Sequence, residues 1–247
     1  MEATVGGALA IVLAWAAFGA VHSLLAREWV KRRAERLLGP AIFAGGYRLL
    51  YTLISLALLA GLWLFPLGLA GDLPIAALPQ GLWPLPYLVK AAAAGMGLLA
   101  FWQIRLGEFV GASQLLRWTR GECRDLPPTP PGALPPDQAP EPLVWGGIYL
   151  WARHPLNTAT FVWIWAQPAY SLYNVLFAAS LTAYILIANR FEERDLLLRY
   201  GPAYARYREV VPAFFGGLRG LRERRARLGR ALAPEAAPAG SLPGRKG

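Results

Sequence analysis

The chain is short of charge, of histidine and of cysteine. Only 16% of its 247 residues are Asp, Glu, Lys or Arg, against roughly 25% in ordinary soluble domains. The single Cys123 excludes an internal disulfide framework and leaves no cysteine-built zinc site. Two histidines, His22 and His154, are too few for a typical soluble metalloenzyme, and no metal is expected. The first residues hold Glu2 and no Lys or Arg, so the basic lead of a secretory signal is missing. The first apolar run therefore reads as a retained helix. What is plentiful is apolar: 55% of residues are hydrophobic and ten are Trp. The net charge of +10 does not point to nucleic acid, because the basic residues flank long apolar runs instead of forming a polar patch. The expected partner is a lipid bilayer.

Five apolar stretches stand out, at about 5–25, 47–69, 84–106, 155–170 and 173–190. A bilayer core takes roughly 20 helical residues, which the first three supply. The last two are shorter and separated only by "YSLYN", the pattern of a tight helical hairpin with one arm free to span incompletely. None of the five alternates with period two, so helices are expected rather than strands. The fold class is an all-α integral membrane protein of about five transmembrane helices, ending in a cytoplasmic helical segment. Of 25 Lys and Arg, 22 lie in segments 26–46, 107–153 and beyond 189, and the intervening loops 70–83 and 171–172 hold none. The excess of positive charge on cytoplasmic loops then places the N-terminus outside and the C-terminus in the cytoplasm. Arg48 and Arg105 reach the same interface, and Lys90 snorkels toward the outer one.

Eight prolines between 127 and 142 make the long cytoplasmic connection extended or irregular, since proline donates no backbone hydrogen bond. Beyond it, 217–230 is arginine-rich with leucines at 218, 221 and 228, suited to an anionic leaflet. The Ala/Pro/Gly-rich remainder has a disordered composition.

Polar residues gather at the cytoplasmic ends of the last two stretches. "ARHPLN" opens the first arm and "NRFEERDLLLRYGPAYARYREVVP" follows the second. A short turn makes the arms antiparallel neighbours, so Arg153, His154 and Asn157 should meet Asn189, Glu192 and Glu193. Pro155 suits a first helical position. Glu192 and Glu193 at a helix C-terminus would need cationic partners, because the dipole there disfavours negative charge. The residues alone leave two readings open: an interfacial collar of ion pairs, or a site for a ligand carrying both an ammonium and a carboxylate.

The run "GIYLWARHPLN", an apolar hairpin and "ANRFEERDLLLRYGPAYARYREVVP" resembles the isoprenylcysteine carboxyl methyltransferase superfamily. "VHSLLA", "YRLLYTLISLALLAGLW" and "GEFVGASQLLRW" are similar to its methanethiol S-methyltransferase-like and NnrU-like branch. The resemblance implies a membrane methyltransferase domain over 1–215, with the proline-rich cytoplasmic loop at 117–145 and a tail at 216–247. It implies S-adenosylmethionine as cofactor and a small or lipophilic thiol or carboxyl acceptor. Carried over residue by residue, it implies catalytic roles for Arg153, His154 and Glu193. Cofactor binding would fall to Gly147, Tyr149, His154, Asn157, Glu192, Glu193, Tyr204 and Tyr207. One of the two acids would hold the cofactor ammonium, Arg153 a carboxylate, and His154 the adenosine part or the proton of a thiol. His22 and Gln103 are candidates for the acceptor side. The sequence departs from the family's Arg-His-Pro-x-Tyr at Asn157, which hydrogen-bonds but cannot stack, and at Ala159 in place of glycine. The NnrU-like relatives, which include a haem-containing carotene isomerase, imply an alternative in which His22 ligates haem iron with His154 or Cys123. A non-enzymatic membrane scaffold is the third class.

Overall fold

A computed structural model describes residues 2–64, 73–130 and 143–232. The helices are α1 (Glu2–Ala26), α2 (Glu28–Leu38), α3 (Pro40–Leu64), α4 (Pro84–Gln103), α5 (Leu106–Val110), α6 (Ala112–Thr119), α7 (Pro155–Trp165), α8 (Leu172–Tyr200), α9 (Pro202–Val210) and α10 (Leu221–Ala231). Two short strands, β1 (Pro74–Ala77) and β2 (Ala169–Ser171), complete the architecture.

Four helical stretches among the described residues are long and apolar enough to cross a membrane: Val5–Ala26, Pro40–Leu64, Gln80–Gln103 and Leu172–Tyr200. Large apolar side chains cover their outer faces, among them Leu9, Leu53, Leu88, Trp102 and Ile187. In water such a surface would be untenable; against lipid tails it is the expected one. The fifth apolar stretch forms α7, an 11-residue helix only about 16 Å long. Pro155 sets its start, and it unwinds at Ala166, ahead of Gln167 and Pro168. It is the short arm of the hairpin, below the length that a bilayer core takes.

β1 pairs antiparallel with β2, Pro74 opposite Ser171. The ribbon ties the segment before α4 to the turn between α7 and α8, so both lie at one end of the bundle. Ser171 also caps α8, its hydroxyl accepting from the Asn174 amide at 3.3 Å. At this end Lys90 donates to the Gln167 side chain at 2.9 Å.

Inside, α1 packs on α3 and α8, α7 on α4 and α8, and α3 on α6. Ile11, Trp15, Phe18, Leu62 and Phe177 form the intramembrane core. Trp15 meets Phe177 edge-on, with centroids 5.1 Å apart. A second core of Leu150, Tyr204, Tyr207, Val211 and Leu228 caps the opposite end. Leu228 is fully buried there while Leu218 is exposed, so the arginine-rich helix α10 docks on α9 as part of this cap. Residues 131–142 of the proline-rich loop, and the Ala/Pro/Gly-rich tail from 233 on, lie outside the described residues.

Helix α8 runs ten residues past the end of its apolar stretch. "RFEERDLLLRY" contains no glycine or proline before Gly201-Pro202, and its residues are mostly good helix formers. Glu192 and Glu193 therefore sit within a helix and not at its C-terminus, and the dipole argument for their pairing does not apply.

At the α5–α6 elbow, Arg117 donates to both Glu108 oxygens, at 2.6 and 3.1 Å. That hydrogen bonding holds the Glu108 carboxyl below its usual range. A depressed carboxylate stabilises the fold above its unfolded pKa and loses that contribution as pH falls through the folded value. With the Arg117 side chain one-third exposed, the pair contributes about 0.5–1 kcal/mol. Thermal unfolding in detergent should thus show wild type and Glu108→Gln separated by that amount at pH 7, with the separation shrinking as the pH falls below the ordinary carboxylate range.

Candidate active site

The segment before α7 is fixed by its backbone. Gly147 has φ +55° and begins a 3₁₀ turn through Leu150. A Cβ at Gly147 would occupy the place of the Gln103 side-chain amide, so a side chain here would conflict both with the left-handed conformation and with that contact. The Arg153 and His154 amides donate to the Pro212 and Ala213 carbonyls, each at 2.9 Å. Pro155 then begins α7, and the Thr158 hydroxyl returns to the His154 carbonyl at 3.0 Å. Phe214 lies against the imidazole, with centroids 5.8 Å apart.

Arg153, His154 and Glu193 come together across forty positions of sequence. Arg153 donates from Nε to Glu193 Oε1 at 2.8 Å and from a terminal nitrogen to the same oxygen at 2.5 Å. Its other terminal nitrogen donates to the Arg208 carbonyl at 3.1 Å and to the Val211 carbonyl. Four of the five guanidinium N–H groups are thereby committed, two of them to the last carbonyls of α9, where a cation is favoured. His154 Nε2 donates to Glu193 Oε1 at 3.1 Å, since an ionised carboxylate only accepts. Arg208 approaches Glu193 Oε2 at 3.5 Å. Glu193 is the hub of this cluster, and its charge is matched by two arginines.

Glu192 stands differently. Its side chain is 54% exposed. It approaches His154 Nδ1 at 3.8 Å, too long for a direct hydrogen bond. The phenols of Tyr51, Tyr149 and Tyr184 are all near enough to feel its charge. Burial, assisted by that charge, pushes the Tyr149 phenol up to about 12. Tyr204 and Tyr207 are also raised by burial, so all three remain hydrogen-bond donors at neutral pH. Tyr207 donates to the Tyr149 carbonyl at 2.7 Å. Tyr204 lies beside Arg153, and its buried hydroxyl has no acceptor among the described residues.

Asn157 donates to Asn189 Oδ1 at 2.9 Å, and the buried Asn189 Nδ2 has no acceptor among the described residues. A buried amide donor left open beside an uncommitted carboxylate suits a ligand that brings an acceptor and a cation together.

His22 and Gln103 occupy separate places. His22 is bonded through both ring nitrogens, to Ser55 Oγ at 2.8 Å and to the Tyr51 hydroxyl at 2.7 Å. Gln103 lies against Gly147 and donates to the Leu99 carbonyl at 3.1 Å. Tyr51, Ser55, Tyr184 and Arg208 were not singled out from sequence. The i, i+4 spacing of Tyr51 and Ser55 was the one available signal, because it puts both on the helix face that α1 meets. With both nitrogens of His22 bonded to α3 and Nε2 of His154 bonded to Glu193, haem ligation is not favoured. A cleft of about 690 Å³ also opens between Glu28, Arg32, Glu35 and the Pro128–Thr129 segment, and it contains none of these residues.

The chain is 34% identical over 194 residues to a methanethiol S-methyltransferase of Mycobacterium tuberculosis, covering 78% of this chain and 72% of the relative. It is 31% identical over 199 residues to a methanethiol S-methyltransferase of Pseudomonas sp. strain GM41(2012), covering 78% and 67%. It is 46% identical over 65 residues to methanethiol S-methyltransferase 2 of Bradyrhizobium diazoefficiens, covering 26% and 25%. No family model matches the chain, and no solved structure matches it.

Proposed function

The chain belongs to the methanethiol S-methyltransferase family, a group of membrane methyltransferases, and from that premise we propose that it methylates a small thiol with S-adenosylmethionine at the pocket of Glu192 and His154. The observation that carries this reading is the division between two adjacent acids. Glu193 is paired with Arg153 and Arg208 and hydrogen-bonded by His154, while the Glu192 side chain is 54% exposed and has no close cationic partner among the described residues.

S-adenosylmethionine, when bound, supplies a methyl group on a cationic sulfur, together with an ammonium, a carboxylate and an adenine. Glu192 is the group suited to its cations, within a ring of aromatic side chains that favour cations as well. Asn189 Nδ2 and the Tyr204 hydroxyl are the buried donors open to its acceptors. Asn157 acts through Asn189, orienting that amide. Tyr149, Gly147 and Tyr207 shape the wall, and Gly147 keeps the Gln103 amide in close contact. Arg153 positions: it locks Glu193 and α9 so that His154 and Glu192 are presented together. Transfer to sulfur is an in-line displacement, so holding the reactants aligned and excluding water supply most of the rate.

The cluster end of the bundle is the cytoplasmic one in this reading, with the N-terminus outside. That orientation rests on the distribution of Lys and Arg, and it puts the donor site where a water-soluble cofactor arrives. A small apolar thiol partitions into the bilayer and enters between the lipid-facing helices. Residues 1–215 carry the activity, with α10 bracing the cap.

The test is direct. The full chain in detergent should bind S-adenosylmethionine by calorimetry and transfer its methyl group to methanethiol or ethanethiol, giving the thioether in gas chromatography. Binding without transfer to any thiol, while a prenylcysteine or a lipid amine is methylated, would replace the acceptor. No binding at all would remove the function.

A further inference from the structure

A second polar constellation lies within the helix bundle, formed by His22 of α1 with Tyr51 and Ser55 of α3. Its hydrogens can be assigned. Ser55 Oγ donates to the Tyr51 carbonyl at 2.7 Å, which uses its one hydrogen. At 2.8 Å from His22 Nδ1 it must therefore accept, so Nδ1 carries the proton. His22 Nε2 then has a lone pair, which takes the Tyr51 hydroxyl hydrogen at 2.7 Å. The imidazole is held in place by Phe18, stacked at 5.5 Å, and by Tyr184, edge-on at 6.0 Å.

Interhelical hydrogen bonds of this sort can simply join membrane helices. Two observations point further. Tyr184, edge-on to the imidazole, stands about two turns before Glu192 on α8, and Arg27, the residue after α1, stacks over the neighbouring Phe191 at 4.2 Å, so the constellation and that carboxylate share the α1–α8 seam. And a thiol must lose its proton before its sulfur attacks, yet the groups around Glu193 are already paired. Arg153 cannot accept a proton, Nε2 of His154 donates to Glu193, and Glu192 faces the cation. Tyr51 has given its hydrogen to His22, so its oxygen turns lone pairs outward.

We propose that Tyr51 and His22 form the proton relay for the acceptor thiol. This deepens the thiol methyltransferase reading and rests on it. The thiol S–H donates to the Tyr51 oxygen as the Tyr51 hydrogen passes to His22 Nε2. The S–H bond breaks, the phenol is re-formed, and the imidazole becomes imidazolium. The thiolate sulfur forms its new bond to the methyl carbon as the bond from that carbon to the donor sulfur breaks. The products are a neutral thioether and S-adenosylhomocysteine, and His22 returns its proton to water through Tyr51. Tyr51 is the catalytic residue and His22 acts through it. The titratable groups facing the pair are Tyr47 and Arg48 on α3 and Tyr184 and Glu192 on α8.

The test uses acceptors of different acidity with the full chain in detergent. For His22→Gln and Tyr51→Phe, kcat/KM with an alkanethiol should fall about a hundredfold or more, the usual range for loss of a general base. With thiophenol, ionised at neutral pH, it should fall less than about fivefold. Binding of S-adenosylmethionine should stay within about twofold of wild type. Equal losses on both thiols, or no loss on either, overturn the relay. A wild type that binds no S-adenosylmethionine and methylates neither thiol fails the underlying reading instead. A readout free of turnover comes from having two histidines. In ¹⁵N-histidine-labelled His154→Gln protein, the one remaining imidazole should be protonated at Nδ1, and protonation at Nε2 overturns the assignment. Should His22→Gln fail to insert, Tyr51→Phe and this spectrum give the same decision.

Discussion

Replacing Glu193 with alanine should destabilise the protein by about 3–5 kcal/mol, the usual effect of removing one member of a buried ion pair. Arg153 is 8% exposed and Glu193 15%, so neither charge has water to fall back on. Without the carboxylate, the Arg153 guanidinium loses its counter-charge and His154 Nε2 its acceptor, and Arg208 is left close by as a second cation. The loss should lower the unfolding midpoint in detergent by roughly 6–20 °C. It should also loosen α9, whose last carbonyls Arg153 holds. Replacing both partners at once, Arg153→Met with Glu193→Leu, removes the stranded charge and should cost less than Glu193→Ala alone. If Glu193→Ala unfolds at the wild-type midpoint, Glu193 is not the structural hub, and the separation of its role from that of Glu192 collapses.

The sequence carried the meeting of Arg153, His154 and Glu193, because five residues between two apolar arms leave the arms no choice but to run antiparallel. Apolar stretch lengths likewise marked three of the four helices long and apolar enough to cross a membrane, while 173–190 read as short because the charged end of α8 hid its full length. The division of labour between Glu192 and Glu193 was not legible. Adjacent residues on a helix point about 100° apart, so one acid meets Arg153 and the other stays largely exposed. Which does which depends on the rotation of α8, whose upper half is apolar all round and gives no phase. The β1–β2 ribbon was missed because "PIAA" and "AYS" lack alternation and are too short to register. Tyr51 and Ser55 looked like ordinary members of an apolar run. Only the packing of α1 against α3 shows that they converge on His22. Asn157, where the resemblance expects an aromatic residue, reads in sequence as a lost stacking partner. In the fold it is one half of a pair with Asn189, so the position has exchanged a stacking surface for an oriented amide.

Glu192→Gln should leave the fold intact and weaken S-adenosylmethionine binding about 10- to 150-fold, the equivalent of one charge-assisted contact. The substitution keeps the shape and removes only the charge. It leaves no stranded partner, because the one ion pair of Glu192 among the described residues is the 3.8 Å approach to His154 Nδ1. Stability should therefore change by less than about 0.5 kcal/mol, as for a surface substitution, in contrast to the collapse at position 193. Comparing two ligands locates the contact. S-adenosylhomocysteine keeps the ammonium and lacks the sulfonium charge. A larger loss for S-adenosylmethionine than for S-adenosylhomocysteine places Glu192 beside the reacting sulfur, and equal losses place it at the ammonium. Unchanged affinity for both, measured by calorimetry on protein whose unfolding midpoint matches wild type, would mean that the open carboxylate faces no donor at all. The site would then have to be sought elsewhere in the cap.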